Sequence, residues 1–380
     1  MTRPGFVLSA LLLTLMPIGA MAQAAATPQS ESAPKKAEEV FKNIQTLKGV
    51  PAYEIIPTMQ FISASLGVRC EHCHVERQFD KDDKEQKKTA RKMMEMMFAI
   101  NKDDFNGQMK VTCNSCHHGA AEPAAIPEIA AAMPRPEPAH GPGMPGAEGA
   151  ASTPPPPNPQ QILAKYVEAV GGEAALNKIT TRVEKGTQTG FGPQGAPVEI
   201  YAKAPDKRVS IVQGPRGPTY TAYDGQSGWM TGFGGRIQDM EGADVYAAKL
   251  DADFQLLADT KTVFRQVRPA KPEKIGDKEV WVLLGITPGQ PPVKLYFDKD
   301  SGLLLREVRY AETPVGRYPT QVDYADFREA DGVKIPYQWT FSRPGSSFTI
   351  KVDEVKQNVP VDDSKFAKPA QPAEQKPPGQ

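Results

Sequence analysis

The sequence predicts a multidomain α plus β protein: a small helical module, a Pro-rich linker, and an antiparallel β half-barrel wrapped on a helix. Three observations carry that prediction. Residues 31–119 are helix-forming, rich in Met, and hold all four cysteines of the chain. Residues 120–159 are dominated by Pro, Ala and Gly, as in Pro154-Pro155-Pro156-Pro157. Across residues 160–366, apolar and polar residues alternate between Gly and Pro turns, the period of strands with one buried face. A chain of 380 residues suits two or three domains of ordinary size. Lys+Arg and Asp+Glu both total 45, a balance that argues against nucleic-acid binding.

The first 22 residues read as an export signal. Arg3 supplies the positive end, Phe6 to Ala20 the apolar stretch, and Ala20-Met21-Ala22 the small residues before a cut at Gln23. The apolar stretch is shorter than the about 20 residues of a spanning helix. No membrane span is therefore expected after signal removal, and the mature chain is expected in the periplasm or otherwise exported. The linker, 120–159, is too rich in Pro to bury a core and serves as a spacer. A disordered tail is expected over 367–380, which is again rich in Pro and Gln.

Within 31–119, Ile55, Met59, Ile62 and Leu66 recur at helical spacing, and Gly67 suits the C-terminal cap. A longer helix is predicted from Lys84 to Ile100, carrying Met93, Met94, Met96 and Met97. Each helix precedes the same motif: Cys70-Glu71-His72-Cys73-His74 and Cys113-Asn114-Ser115-Cys116-His117. Two thiols one turn apart can add across the two vinyl groups of a porphyrin, and the next imidazole then lies beneath the ring to bind iron. A four-cysteine zinc site or two local disulfides would use the same thiols but leave both trailing histidines unexplained. The chain has only five histidines, so their placement after both pairs is the telling feature. Two covalently bound haem c groups are expected, held by Cys70, Cys73, Cys113 and Cys116, with His74 and His117 as iron ligands.

A second axial ligand suits electron transfer. Met59 lies eleven residues ahead of Cys70 on the first predicted helix. The second predicted helix offers four methionines, of which only one can bind iron, and core packing is the alternative role for each. The segments "MQFISASLGVRCEHCHV", "KKTARKMMEMMFAINKDDF" and "VTCNSCHHG" resemble the cytochrome c subunit of photosynthetic reaction centres over about residues 38–122. That resemblance implies repeated units of helix, turn and CxxCH, with a helix Met as sixth ligand. It maps the ligand role onto Met59 and, five residues before Asn101, onto Met96, with Met93 as second choice. The family's subunit has four such motifs and this chain two, so the module resembles one half of it, and photosynthesis is not implied. His72 and His118 are expected as exposed neighbours of the motifs. Arg69, Arg91 and Lys110 are either partners for haem propionates or surface charges.

The C-terminal region starts with a predicted helix, Gln160–Val170, and the turn Gly171-Gly172. Strands are predicted at "PVEIYAK", "KRVSIVQ", "EVWVLLGI", "VKLYFD", "TQVDYADF", "VKIPYQWTF" and "SFTIKVDEV", and a further helix at Met240–Ala258. In the last strand Phe348, Ile350 and Val352 alternate with Thr349, Lys351 and Asp353. "YVEAVGGEAALNKITTRVEKG" and "YFDKDSGLLLREVRY" resemble the lipoprotein-carrier half-barrels of the bacterial periplasm. The resemblance implies a concave face that takes a lipid-like or quinone-like ligand; the alternative is a filled core and a docking role. Residues 160–366 contain neither Cys nor His, which excludes a Ser-His-Asp arrangement there.

Taken together, the residues predict an exported dihaem c-type cytochrome relaying single electrons. Its partner would be a redox protein or a membrane-bound electron-transfer complex. No catalytic residue is assigned. The alternative is a haem enzyme, such as a dihaem peroxidase or a quinol-oxidising protein; a lipid carrier with an appended cytochrome as sensor is the third reading.

Overall fold

The computed structural model describes residues 33–123, 157–190, 194–232 and 235–369. The expected signal, most of the linker and most of the tail lie outside these residues. Seven helices are described: α1 (Ala37–Val40), α2 (Ile55–Leu66), α3 (Glu85–Asp104), α4 (Cys113–His117), α5 (Pro159–Ala169), α6 (Glu173–Leu176) and α7 (Gly242–Ala252). The strands before α7 are β1 (Thr181–Thr189), β2 (Ala196–Lys203), β3 (Lys207–Gly214), β4 (Gly217–Asp224), β5 (Gly228–Thr231) and β6 (Ile237–Asp239). After it come β7 (Gln266–Pro269), β8 (Glu273–Ile275), β9 (Lys278–Ile286), β10 (Val293–Asp298), β11 (Leu304–Thr313), β12 (Gly316–Ala330), β13 (Val333–Arg343) and β14 (Ser346–Gln357).

All fourteen strands join one open sheet in the order β6-β5-β4-β3-β2-β1-β14-β13-β12-β11-β10-β9-β7, with β8 paired to β9. Every pairing is antiparallel. The sequential hairpins are closed by the pairing of β1 with β14, which joins the two halves. All seven strand segments read from the sequence are strands. In β14, Ile350 and Val352 are buried while Lys351 and Asp353 are exposed, so the alternation marks the buried face.

Helix α7 packs on β3, β4 and β5 from one half of the sheet and on β11 from the other. A single helix can touch both halves only where the sheet curves around it, so the fold is a half-barrel wrapped on a helix. Its interior is filled by the chain itself. Ile162 of α5, Leu250 of α7, Leu256 and Leu257 pack against Phe264, Leu283, Leu295 and Phe297. Beside them lies a buried polar network: Arg309 donates to Glu307, to Asp251 and to the Ala247 carbonyl, and Tyr324 Oη donates to Glu307. Burial opposes the Arg309 charge, but the two carboxylates hold its pKa well above the ordinary value. Breaking one member would strand the others without solvent, so the network fastens α7 to the sheet.

The predicted helix Met240–Ala258 is shorter than expected, ending at Ala252. Asp253 ends it: its carboxylate accepts from the Gln255 N–H and from Thr262 Oγ1, each at 2.8 Å, a local turn that competes with helix. The apolar Leu256 and Leu257, beyond the end of α7, still reach the core from that turn.

The helical part rests on the sheet. The β11–β12 hairpin turns through Pro314-Val315, and Val315 is fully buried in a cluster with Ala37, Leu47, Ile55, Met94 and Met97. Gly316, at φ 140°, leaves space that a Cβ would take from Phe61 of α2 and from Thr112. Gly242, the first residue of α7, likewise lies against the Tyr53 ring. Full burial of a valine side chain stabilises by roughly 1.5–3 kcal/mol. Val315→Asp is expected to destabilise the chain by about 3–5 kcal/mol through an unpaired buried charge. Arg317→Ala, at an exposed ion pair with Glu312, is expected to cost about 1 kcal/mol or less. Equal thermal midpoints for the two variants would refute the packing of this hairpin.

Candidate metal centre

Helix α2 is the strut of the site. Its apolar stripe of Ile55, Met59 and Ile62 packs in the cluster around Val315. Its polar members are satisfied locally: Thr58 Oγ1 donates to the Glu54 carbonyl at 2.7 Å and Ser65 Oγ to the Phe61 carbonyl at 2.8 Å. Gly67 ends the helix at φ 64°, with the Val68 N–H bonded to the Ser63 carbonyl. That end meets both motifs. Cys70 follows after Val68 and Arg69, and the second motif returns so that the Gly119 N–H donates to the Ser65 carbonyl at 2.8 Å. A Cβ on Gly67 would overlap the Gly119 carbonyl oxygen.

Each CxxCH forms one helical turn. In the first, Cys70–His72 is a 3-10 turn and the His74 N–H reaches the Cys70 carbonyl at 3.0 Å. In the second, α4 is capped at Thr112 by Ser115 and ends at His118 in the left-handed region, φ 47°. No disulfide joins the four cysteines; Cys70 and Cys116 are exposed, Cys73 and Cys113 half-buried. Burial pushes the Cys73 and Cys113 thiols above their ordinary pKa. Among the described residues, no three His, Cys, Asp or Glu side chains are arranged around one metal ion.

The two imidazoles are oriented alike. His74 Nδ1 donates to the Phe79 carbonyl at 3.0 Å, and His117 Nδ1 to the Ala120 carbonyl at 2.9 Å. A carbonyl only accepts, so Nδ1 carries the proton and Nε2 is left with its lone pair, the tautomer an iron ligand requires. Burial, more than any other cause, holds the His74 pKa below its ordinary value.

The methionines divide by face. Met94 and Met97 are buried at 7% and 4% exposure in the cluster around Val315, whereas Met93 and Met96 are 40% and 48% exposed on another face of α3. Met59 is half-buried on α2. Exposed large hydrophobic residues otherwise include Val40, Ile56, Phe79, Phe105 and Met109, all within this helical part. Apolar surface of this kind, beside paired thiols and an oriented imidazole, fits a flat apolar ring with covalent attachment points. His72 and His118 are exposed, as expected. Arg69 is an exposed partner of Glu71, while Arg91 is mostly buried and paired with Asp82.

Two groups of side chains have clamping roles that the sequence reading did not assign. Asn101 is buried on the same stripe of α3 as Met94 and Met97. Its Oδ1 accepts from the Lys110 and Val111 N–H groups at 2.9 Å, and its Nδ2 donates to the Val111 carbonyl at 2.7 Å. It thereby fixes the strand of chain entering Cys113. Lys87, also buried, donates to the Phe79 and Lys81 carbonyls and pairs with Asp82, which Arg91 binds from its other oxygen. This fastens the loop after the first motif onto α3, and the Arg91 bond foremost holds the Asp82 carboxyl well below the usual range. The available signal was position: a polar residue on an otherwise apolar helical stripe is a bond in the core.

Residues 15–150 match the family model described as the photosynthetic reaction centre cytochrome C subunit. The chain is 33% identical over 100 residues to the reaction center cytochrome c subunit of Thermochromatium tepidum, covering 25% of each chain. It is 34% identical over 85 residues to cytochrome c-554 of Chloroflexus aurantiacus, covering 20% of each. The match thus spans a quarter or less of these relatives' lengths. Among solved structures, a LolA superfamily protein from Nitrosomonas europaea aligns with TM-score 0.40 at 13% identity, over 56% of this chain and 99% of that one. A putative outer membrane lipoprotein-sorting protein domain from Vibrio parahaemolyticus aligns with TM-score 0.41 at 13% identity, over 55% and 97%. Among the described residues, no helix is long and apolar enough to cross a membrane.

Asn101→Leu removes three bonds at once and leaves buried N–H groups unpaired. It is expected to destabilise by about 2–4 kcal/mol. Asn101→Asp keeps the two accepted bonds and should fall between Leu and the native residue. Denaturant midpoints check the order; a Leu variant as stable as the native chain would rule out the clamp.

Proposed function

We propose that this chain is an exported dihaem c-type cytochrome that relays single electrons between redox partners. The observation that carries the reading is the duplication of one orienting device. Two separate CxxCH turns each hold their histidine by an Nδ1–H bond to a backbone carbonyl, leaving both Nε2 atoms free to bind iron. Covalently bound haem c supplies one-electron chemistry at its iron. Cys70 and Cys73 would hold one group, Cys113 and Cys116 the other, with His74 and His117 as proximal ligands. Met59 would be the distal ligand at the first iron. Met96 would serve at the second, with Met93 as second choice, since the two share the exposed face of α3.

With His74 and Met59 on one iron and His117 and Met96 on the other, protein side chains would occupy the positions a substrate would need, which favours transfer over catalysis. The β domain serves docking: its concave side is filled by Leu250, Leu256, Leu257 and the Arg309 network, so a lipid-like or quinone-like ligand is the weaker reading.

The purified full chain is expected to contain two haems, both low-spin, with the long-wavelength Met band in the oxidised spectrum. Cys70→Ser with Cys73→Ser should halve the covalent haem content. Met59→Ala should remove about half of the Met band, and Met96→Ala the remainder. Loss of the remainder on changing only Met93 transfers the role to Met93. A five-coordinate, peroxide-reactive haem in the native chain would favour the enzyme reading, and a chain without covalent haem would end the cytochrome reading altogether.

A further inference from the structure

We propose that Lys87 sets the reduction potential of the His74 centre above that of the His117 centre, by donating to the same carbonyl that accepts the His74 ring N–H. The inference rests on the reading that both histidines bind haem iron. The two orienting bonds are alike in length but differ in what else reaches their acceptors. Lys87 Nζ lies 2.8 Å from the Phe79 carbonyl oxygen, which accepts from His74 Nδ1 at 3.0 Å. The Ala120 carbonyl oxygen, which accepts from His117 Nδ1, receives no side-chain cation among the described residues.

Two effects of Lys87 carry the same sign. An acceptor already engaged by an ammonium draws less on the imidazole N–H, so the ring keeps less anionic character and stabilises oxidised iron less. The ammonium's own charge also disfavours the more positive, oxidised state. Its side chain is only 10% exposed, which limits screening by salt.

The surroundings reinforce the asymmetry. Lys84 donates to the Glu71 carbonyl inside the first motif. Asp82 is shared between Lys87 at 3.0 Å and Arg91 at 2.9 Å, so one carboxylate faces two cations. Glu71 and Glu85 are paired outward with Arg69 and Lys88. The second turn, from Thr112 to Ala120, has no hydrogen bond from a charged side chain among the described residues. An electron shared between the two centres would therefore rest at the His74 centre.

Spectroelectrochemical titration of the full-length holoprotein tests this, with Lys87→Met and Asp82→Asn compared at one pH and ionic strength. The native chain is expected to titrate as two components. Lys87→Met should move the higher one to more negative potential and leave the lower in place. Poised at the native upper midpoint, the reduced-to-oxidised ratio of that component should fall roughly tenfold, as loss of a charge-assisted bond implies. Asp82→Asn should move the same component the opposite way. Both variants loosen the same loop, so a merely structural role would shift them in one direction. Shifts of equal sign, a shift confined to the lower component, or no shift at all overturn the proposal. If Lys87→Met fails to accumulate, Asp82→Asn decides alone: an upward shift supports it and a downward one overturns it. Unmoved midpoints in a normally loaded protein end this inference only, whereas a native chain without covalent haem ends the functional reading as well.

Discussion

The end of α2 is the constraint on which the site depends. A helix leaves its last carbonyls without partners, and here one of them, on Ser65, is taken by the N–H of Gly119 rather than by water. Gly67 can adopt its left-handed conformation and also admit the Gly119 carbonyl because it has no side chain. One helix end therefore fixes where the first motif leaves and where the second returns. A single shared strut holds both more tightly than two independent loops would.

The same strut explains why the polar residues around it are buried. Thr58 and Ser65 spend their hydroxyls on carbonyls one turn back, so both stay inside without an orphaned donor. Asn101 and Lys87 do the corresponding work on α3, each tying the chain beside one motif to the helix. The two halves of the site are thus built by one method with different chemistry. A neutral amide holds the approach to Cys113, and a cation holds the loop after His74. That difference in charge adds to the difference in backbone between the 3-10 turn at Cys70–His72 and the α-helical turn at Cys113–His117.

Much of this was legible in the sequence because it is local. CxxCH spacing is a statement about one helical turn, and α2, α3 and the alternating strands follow from residues a few positions apart. What could not be read depends on distant partners or on competition within a turn. Val315 joins the cluster of Ile55 and Met94 across more than two hundred residues, and nothing in Pro314-Val315-Gly316 announces it. Strand β1 carries an irregularity at Lys185/Gly186 that breaks its alternation, and β8 is three residues of mostly polar character. Helix α7 stops six residues short of the expected Ala258 because the Asp253 side chain turns the chain there. Among the methionines, spacing separates the pair 93 and 96 from the pair 94 and 97, but only packing tells which pair faces the core.

The contact between the helical part and the sheet changes what the covalent connection between them has to do. The described contact is modest: Val315 in one cluster, Gly316 against Phe61, and Gly242 against Tyr53. Joined in one chain, the two surfaces meet without the translational and rotational loss that two separate proteins would have to overcome. The contact falls on α2, the helix that carries Met59 and anchors both motif turns. A partner that engaged the β domain and displaced the β11–β12 hairpin would therefore act directly on the helix that ends against both CxxCH turns. A domain attached only through its linker would have no such route, because force on it would dissipate in the connection before reaching α2.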